Sequence, residues 1–278
     1  MDASKSRELK KFATAIRIET MKQLKERGFG HAGGALSVVD LLAVLYSGVL
    51  RIDPKNPGWD GRDRLVMSKG HAGPSVYATL ALKGYFPIEW LLTLNKPGTR
   101  LPSHCDRNKT PGIDMTTGSL GQGMSTASGL ALAFKLDGKD NRVYVVIGDG
   151  ECNEGQIWEG ALFCAHHKID NLILFVDVNG KQLDGYTDDI MKMGDIAAKF
   201  SEFGWNTQSI DGSDVEQISE AIESAKKVNG KPSCIVMKTI KGAGVKEIED
   251  TMHNHHINIS AEMADRAIKD LNELMASY

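Results

Sequence analysis

Apolar positions fall into two rhythms along the chain. Between residues 6 and 27, Leu9, Phe12, Ile16, Ile18 and Met21 recur among charged residues, which predicts an amphipathic helix. A glycine-rich turn follows, Gly28-Phe29-Gly30-His31-Ala32-Gly33-Gly34. Residues 35–50 are then almost wholly apolar and predict one buried helix. Residues 74–85 read as helical, and so do residues 119–136, with Met124, Ala127, Leu130, Ala131 and Ala133. The stretch from 95 to 118 between them has no period and carries three prolines and a histidine. A segment of that kind inside a compact domain is characteristically functional or disordered.

From residue 142 the rhythm changes. Val143-Tyr144-Val145-Val146-Ile147 is a β-branched run of the kind buried on both faces. A helix is expected over 156–167, and Leu172-Ile173-Leu174-Phe175-Val176 is the next strand. A helix near 193–203 leads to the segment 205–210. Ser213 and Glu216 suggest a capping box for a helix that buries Val215, Ile218, Ile222 and Ala225. Pro232 opens a last strand, Cys234-Ile235-Val236-Met237. Ser260 caps a terminal helix with Ala264, Ile268, Leu271 and Met275 on one face. Strands alternating with helices in this way predict an α/β fold: a mostly parallel open sheet with helices on both faces, in one domain spanning 1–278.

Composition narrows the function classes. The net charge is −3, which excludes an electrostatic nucleic-acid binder. No apolar run reaches the length of a membrane span, and the first residues lack the apolar core of a signal peptide. Cys105, Cys152, Cys164 and Cys234 form no C-x-x-C pair and read as reduced thiols of a cytoplasmic protein. Glycine is in excess, 29 of 278 residues, which suits backbone that must approach phosphate closely.

The strongest chemical signal is Gly148-Asp149-Gly150, directly after a strand, with Asn179 thirty residues beyond Asp149 and just past the end of the next strand. Ligands of open parallel sheets bind beyond the carboxyl ends of the strands. A carboxylate and an amide oxygen at two strand tips suit a hard divalent cation, and a glycine before a helix N-terminus suits phosphate. The plainer reading of Gly-Asp-Gly is a strand-to-helix turn with a capping Asp; Asn179 tips the balance to a metal–diphosphate site. Gly118 to Gly123 is no dinucleotide fingerprint, because its order is G-x-x-G-x-G and no strand precedes it. No P-loop is present. His253, His255 and His256 lack the cysteine pair or third distant ligand of a zinc site. His166 and His167 lie on a helix and read as surface residues.

Gly148-Asp149-Gly150 and Asn179 together resemble the thiamine-diphosphate motif. That likeness implies metal ligation by Asp149, Asn179 and the backbone carbonyl of Lys181. The histidine segments resemble those of transketolases in order along the whole chain: Gly30-His31-Ala32-Gly33-Gly34, Ser68-Lys69-Gly70-His71-Ala72, and Leu101-Pro102-Ser103-His104. Thr116 to Gly123 is similar to the segment behind the thiazolium ring, and Lys238 to Val245 to the one that precedes a last histidine, best matched by His255. The resemblance implies thiamine diphosphate with Mg2+, or another divalent cation such as Ca2+ or Mn2+. It implies catalytic roles for His31, His104 and His255: His31 and His255 on the proton of the donor's C3 hydroxyl, His104 at its C1 hydroxyl. It also implies cofactor contacts from His71, Gly118, Leu120, Gly148 and Gly150, from Glu154 and Glu159 near a subunit interface, and from Asn179 and His255.

What a transketolase has and this sequence lacks is equally informative. Nothing here resembles the pyrimidine-binding domain, with its activating glutamate, or the C-terminal domain. The expectation is the N-terminal, diphosphate-binding subunit of a split transketolase. It would self-associate as a dimer within a heterotetramer, and would act on sugar phosphates only with a separate C-terminal subunit. It would involve no nucleic acid and no membrane. Departures from the family pattern are Gly34-Ala35 in place of a proline-containing run, Val178 before the metal Asn, and Asn254 where a tryptophan is usual. The last leaves His253 as the competitor of His255, and together they leave the donor and acceptor sugars open. The alternatives are the α subunit of a 2-oxo acid dehydrogenase, a 1-deoxyxylulose-phosphate synthase fragment, and a non-catalytic regulatory homologue.

Overall fold

The computed structural model describes residues 1–278. Its strands are β1 (Phe29–Gly30), β2 (Arg64–Met67), β3 (Val143–Gly148), β4 (Leu172–Val178), β5 (Asn206–Asp211), β6 (Ser233–Lys238) and β7 (Ile257–Asn258). The N-terminal half carries α1 (Ala3–Arg27), α2 (Gly33–Leu36), α3 (Val39–Val44), α4 (Gly73–Leu82) and α5 (Gln122–Leu136). The remainder carries α6 (Gly155–His166), α7 (Thr187–Met191), α8 (Ile196–Glu202), α9 (Val215–Ala225), α10 (Lys246–Glu249) and α11 (Ala261–Ser277). Five strands form a wholly parallel sheet in the order β2-β3-β4-β6-β5, and β1 and β7 pair antiparallel in a separate ribbon.

The apolar runs of β3 and β4 are buried on both faces because successive side chains point to opposite sides of a strand. Val143, Val145, Ile147, Leu172, Leu174 and Val176 pack toward α5, α6 and α8. Tyr144, Val146, Ile173 and Phe175 pack toward α1, α3, α4, α9 and α11. The result is a helix–sheet–helix sandwich, the α/β architecture expected from the sequence. Each fully buried apolar side chain in these layers contributes roughly 1.5–3 kcal/mol relative to exposure. A buried ion pair fixes the first layer: Arg17 on α1 meets both carboxylate oxygens of Asp40 on α3 and donates to the Ala243 carbonyl at 2.9 Å.

Four expectations need correction or addition. Residues 35–50 are buried but are not one helix. The chain leaves helical geometry at Val38 (φ −105°, ψ 7°) and again at Gly48 (φ 121°). At the first break Ser37 donates its hydroxyl to the buried Asp177 at 2.8 Å, a side-chain partner that local propensity cannot reveal. The cap of α9 is Asp214, whose carboxylate accepts from Glu216 N and Gln217 N, whereas Ser213 is engaged with Asp211. An ionised acceptor wins over a hydroxyl at a helix start. Strand β2 was hidden in a segment of mixed polarity and is an edge strand paired only to β3. The stretch from 95 to 118 forms no strand or helix, yet it is anchored: Tyr77 donates to the carbonyls of Pro102 and His104 at 2.9 and 3.0 Å. The Ser260 cap of α11 is present, accepting from Met263 N at 3.1 Å.

Helix α5 offers a test in which one substitution has opposite signs at two positions. A Cβ on Gly123 would lie 2.7 Å from the Ser68 Cα, whereas one on Gly129 would meet nothing within 4 Å. Gly123→Ala should destabilise the isolated chain by about 1–3 kcal/mol through overpacking. Gly129→Ala should stabilise it by up to about 1 kcal/mol, because only helix propensity changes. Urea denaturation of both variants reads the two signs directly; a shared sign would refute the packing argument.

Candidate active site

The site lies beyond the carboxyl ends of β3 and β4. These strands are adjacent, with Gly148 in register with Asp177, so Asp149 and Asn179 leave the sheet side by side. Asp149 turns one oxygen to its neighbour Gly150 N (2.8 Å) and the other to Gly180 N (2.7 Å). The Asn179 side-chain oxygen accepts from Lys181 N at 3.1 Å. The Lys181 carbonyl accepts from the Lys241 ammonium at 2.8 Å. The three oxygen donors expected of a metal site therefore sit on two neighbouring loops joined by the Gly180–Asp149 hydrogen bond. The lysine shows that the Lys181 carbonyl faces a place that receives positive charge. Gly150 lies against Gln182, whose Oε1 is buried without a partner; a Cβ on Gly150 would come within 3.3 Å of that atom.

Four histidines from distant segments meet beside this turn. The His31 ring lies 5.7 Å from His71, 5.1 Å from His104 and 5.3 Å from His255, between centroids, and His71 lies 4.6 Å from His255. The backbone explains the convergence. The β1–β7 ribbon pairs Gly30 with Ile257 and so clamps the His31 loop against the one carrying His255. Gly33 N donates to the Asn254 carbonyl at 3.0 Å. Asn254, buried where the family pattern has tryptophan, donates to the carbonyls of Lys241 and Ile248. His255 follows it into the cluster, while His253 is exposed. Gly34 permits His71 to close in, since a Cβ there would lie 2.8 Å from His71 Nε2. Gly118 (φ 148°) backs the His104 ring, and Leu120 beyond it is half-buried.

Sequence reasoning missed several members. His256 stands 4.7 Å from His31 and 5.5 Å from Phe29, making a fifth imidazole at the mouth of the cluster. Lys69 and Asp177, 1% and 0% exposed, form a buried ion pair directly beneath the site. Glu151 is buried and accepts from Ser68 Oγ, Gly121 N and Gly148 N, tying the ends of β2 and β3 to the start of α5. The available signal was ionisable residues immediately flanking strand ends, Lys69 after β2 and Asp177 at the end of β4. Glu154 and Glu159 are exposed and are not brought to the histidines. No group of three or more His, Cys, Asp or Glu side chains is arranged to hold a metal ion. All four cysteines are free and buried.

The electrostatics favour uncharged imidazoles. Burial pushes His31 down to about 3, with His255, His256 and His104 adding repulsion. Burial, then the Lys241 and Lys69 ammonium groups, pushes His255 down to about 4. His71 is driven well below its ordinary value by burial and by Lys69, and His104 is lowered by burial. Lys241 itself falls to about 8 through burial and the nearby Lys69. Burial and the neighbouring Asp177 raise Asp149 to about 6, against the two backbone N–H groups it accepts from. Burial would raise Asp177 too, but Lys69, Thr239 and Ser37 outweigh it and hold the carboxyl below its usual range. The arrangement thus offers an all-oxygen donor set for a hard divalent cation next to neutral nitrogen bases.

The chain matches the family described as "Transketolase, thiamine diphosphate binding domain" over residues 8–273. It is 52% identical to a 6-deoxy-6-sulfo-D-fructose transketolase subunit from a Clostridium species, across 94% of this chain and 95% of that one. It is 39% identical to an apulose-4-phosphate transketolase subunit from Actinobacillus succinogenes, across 96% of both. Its fold superposes on a crystal structure of transketolase from Campylobacter jejuni with a TM-score of 0.89 at 32% identity. That match covers 99% of this chain but 43% of the solved one, so the chain spans less than half of that transketolase.

His31 supplies a test of the electrostatics. Its value in the folded chain, about 3, lies below the ordinary 6.5, so folding keeps the ring neutral. Its contribution to stability is complete above pH 6.5 and declines as the pH falls through 6.5 toward 3. In His31→Gln the melting temperature should therefore fall less steeply on acidification, with about one proton fewer taken up on unfolding near pH 5. An unchanged slope would refute the coupling between the neutral imidazole and the fold.

Proposed function

This chain belongs to the transketolase thiamine-diphosphate-binding family, and from that premise we propose that it is the diphosphate-binding subunit of a two-chain transketolase. It moves a two-carbon ketol unit from a ketose to an aldose once it has joined a separate C-terminal subunit. One observation carries the reading: the oxygen donors of Asp149, Asn179 and Lys181 come from two hydrogen-bonded loops at adjacent strand ends, beside four clustered histidines. A 2-oxo acid dehydrogenase α subunit has no need of that histidine cluster. Residues 1–278 form one diphosphate-binding domain; the pyrimidine-binding and C-terminal domains belong to the partner.

Bound in this site, thiamine diphosphate supplies the carbon centre at which the sugar's carbon–carbon bond is broken and remade. The chain's own residues do the rest. Asp149, Asn179 and the Lys181 carbonyl hold Mg2+, or Ca2+ or Mn2+ in its place. Gly148, Gly150 and His71 lie where the diphosphate is received, and Gly118 and Leu120 back the ring. His31 and His255, kept neutral by their surroundings, together handle the one proton of the donor's C3 hydroxyl, and His255 also borders the cofactor site. His104 contacts the donor's C1 hydroxyl. Glu154 and Glu159, exposed in the single chain, are assigned to a face where two copies meet around the cofactors within a heterotetramer. The substrates are sugars bearing an acidic group, as the names of both relatives state for their own, with sugar phosphates the expected class. No helix is long and apolar enough to cross a membrane, and the four buried free thiols fit a cytoplasmic enzyme.

A tagged chain drawn from its native lysate should bring down one companion of similar size. The eluate should transfer ketol units only with thiamine diphosphate and a divalent cation, and the purified chain alone should be inert. Asp149→Ala should lower the activity of the assembled enzyme more than about 100-fold by removing the one carboxylate of the metal site. Ketol transfer by the pure chain would overturn the two-chain reading. Unaltered activity of Asp149→Ala would overturn the metal assignment.

A further inference from the structure

We propose that Asp177 is a positioning residue for the metal site: its buried carboxylate, paired with Lys69, fixes which way round the Asn179 amide sits. The inference rests on the reading of Asn179 as a metal ligand and extends it to a residue that touches neither metal nor substrate.

The geometry is specific. Asp177 is the last carboxylate before β4 ends, two residues ahead of Asn179, and strand alternation places the two side chains on the same side. Asn179 Nδ2 donates to Asp177 Oδ2 at 2.9 Å, while Asn179 Oδ1 points the opposite way and accepts from Lys181 N at 3.1 Å. An asparagine amide has nearly the same shape either way round, so its partners decide its orientation. Turned over, it would set its oxygen against the Asp177 carboxylate and its NH2 against the Lys181 N–H. Both contacts would then be mismatched, acceptor on acceptor and donor on donor. Only the observed orientation leaves the amide oxygen in the turn that also holds Gly180 N on Asp149 and the Lys181 carbonyl.

The device works only if Asp177 is an acceptor and nothing else. Three further groups enforce that: the Lys69 ammonium and Ser37 Oγ on Oδ2, and Thr239 Oγ1 on Oδ1. Lys69 is itself fully enclosed and has no other carboxylate partner, so it serves the anion rather than the surface. With Ser37, Lys69 and Thr239 on the rest of the carboxylate, the bond from Asn179 Nδ2 is the one hydrogen bond between the Asp177 side chain and the metal turn.

The test is Mn2+ binding to the assembled two-chain enzyme in the presence of thiamine diphosphate, read from the electron paramagnetic resonance signal of free Mn2+. Two variants are needed, because Asp177→Asn leaves Lys69 buried and unpaired. The second, Lys69→Met with Asp177→Leu, replaces the ion pair by apolar groups of similar volume, an exchange that buried pairs commonly tolerate. The expected result is Mn2+ affinity lowered about 10- to 100-fold in folded protein, the usual effect of losing a group that orients a ligand. Wild-type affinity in the folded double variant would overturn the positioning role while leaving the metal reading intact. No Mn2+ binding by the wild-type assembled enzyme would overturn both.

Discussion

A single buried carboxylate holds this site together. Charge cannot be left in a protein interior without partners, so Asp177 must collect donors from wherever the chain can supply them. It collects them from four segments: Ser37 beyond the His31 loop, Lys69 beside His71, Asn179 in the metal turn and Thr239 ahead of Lys241. Each segment carries a residue of the proposed chemistry within a few positions of its contact. The demand to neutralise one anion therefore brings the histidines, the metal turn and the lysine to one place.

The sheet makes that possible. Parallel strands all end on the same side, and the loops that follow β2, β3, β4 and β6 converge there. Adjacent β3 and β4 deliver Asp149 and Asn179, β2 delivers Lys69 and His71, and β6 delivers Thr239 and Lys241. The β1–β7 ribbon completes the ring by tying residues 29–30 to residues 257–258, almost the full length of the chain apart. A two-residue ribbon contributes little stability on its own. Here it sets the separation of His31 and His255, two bases assigned to the same proton.

Much of this was legible in the order of residues, and the exceptions share a cause. β3 and β4 declare themselves because a strand buried on both faces must be a continuous β-branched run. Asp149 and Asn179 declare themselves because they sit at the tips of those strands. α11 declares itself through Ser260 and its apolar face. β2 does not, because an edge strand beginning with Arg64 can leave one side polar. The break at residues 37–38 does not, because it answers Asp177, 140 residues away. The cap at Asp214 was displaced by one residue because two neighbouring side chains could both serve, and only the fold engages Ser213 elsewhere. The sequence does not single out Lys69 and Asp177 as a pair, because burial is a tertiary fact. Where the sequence misled, a long-range contact had overridden a local preference.

The two proposed bases remain only partly enclosed in this chain. Their neutrality comes first from burial and then from neighbouring positive charge, so it is graded by how much water reaches them. The segment that follows the metal turn also exposes apolar side chains: Leu183, Tyr186, Ile190 and Met191. In the proposed assembly, a second chain seated over the site would remove water from the imidazoles. Desolvation then holds the imidazoles neutral more firmly, and the same step strengthens every charge interaction around the diphosphate site. Dividing an enzyme of this kind between two chains thus couples assembly to chemistry. On the proposed function, the bases would reach their working environment only when the partner that completes the substrate site is present.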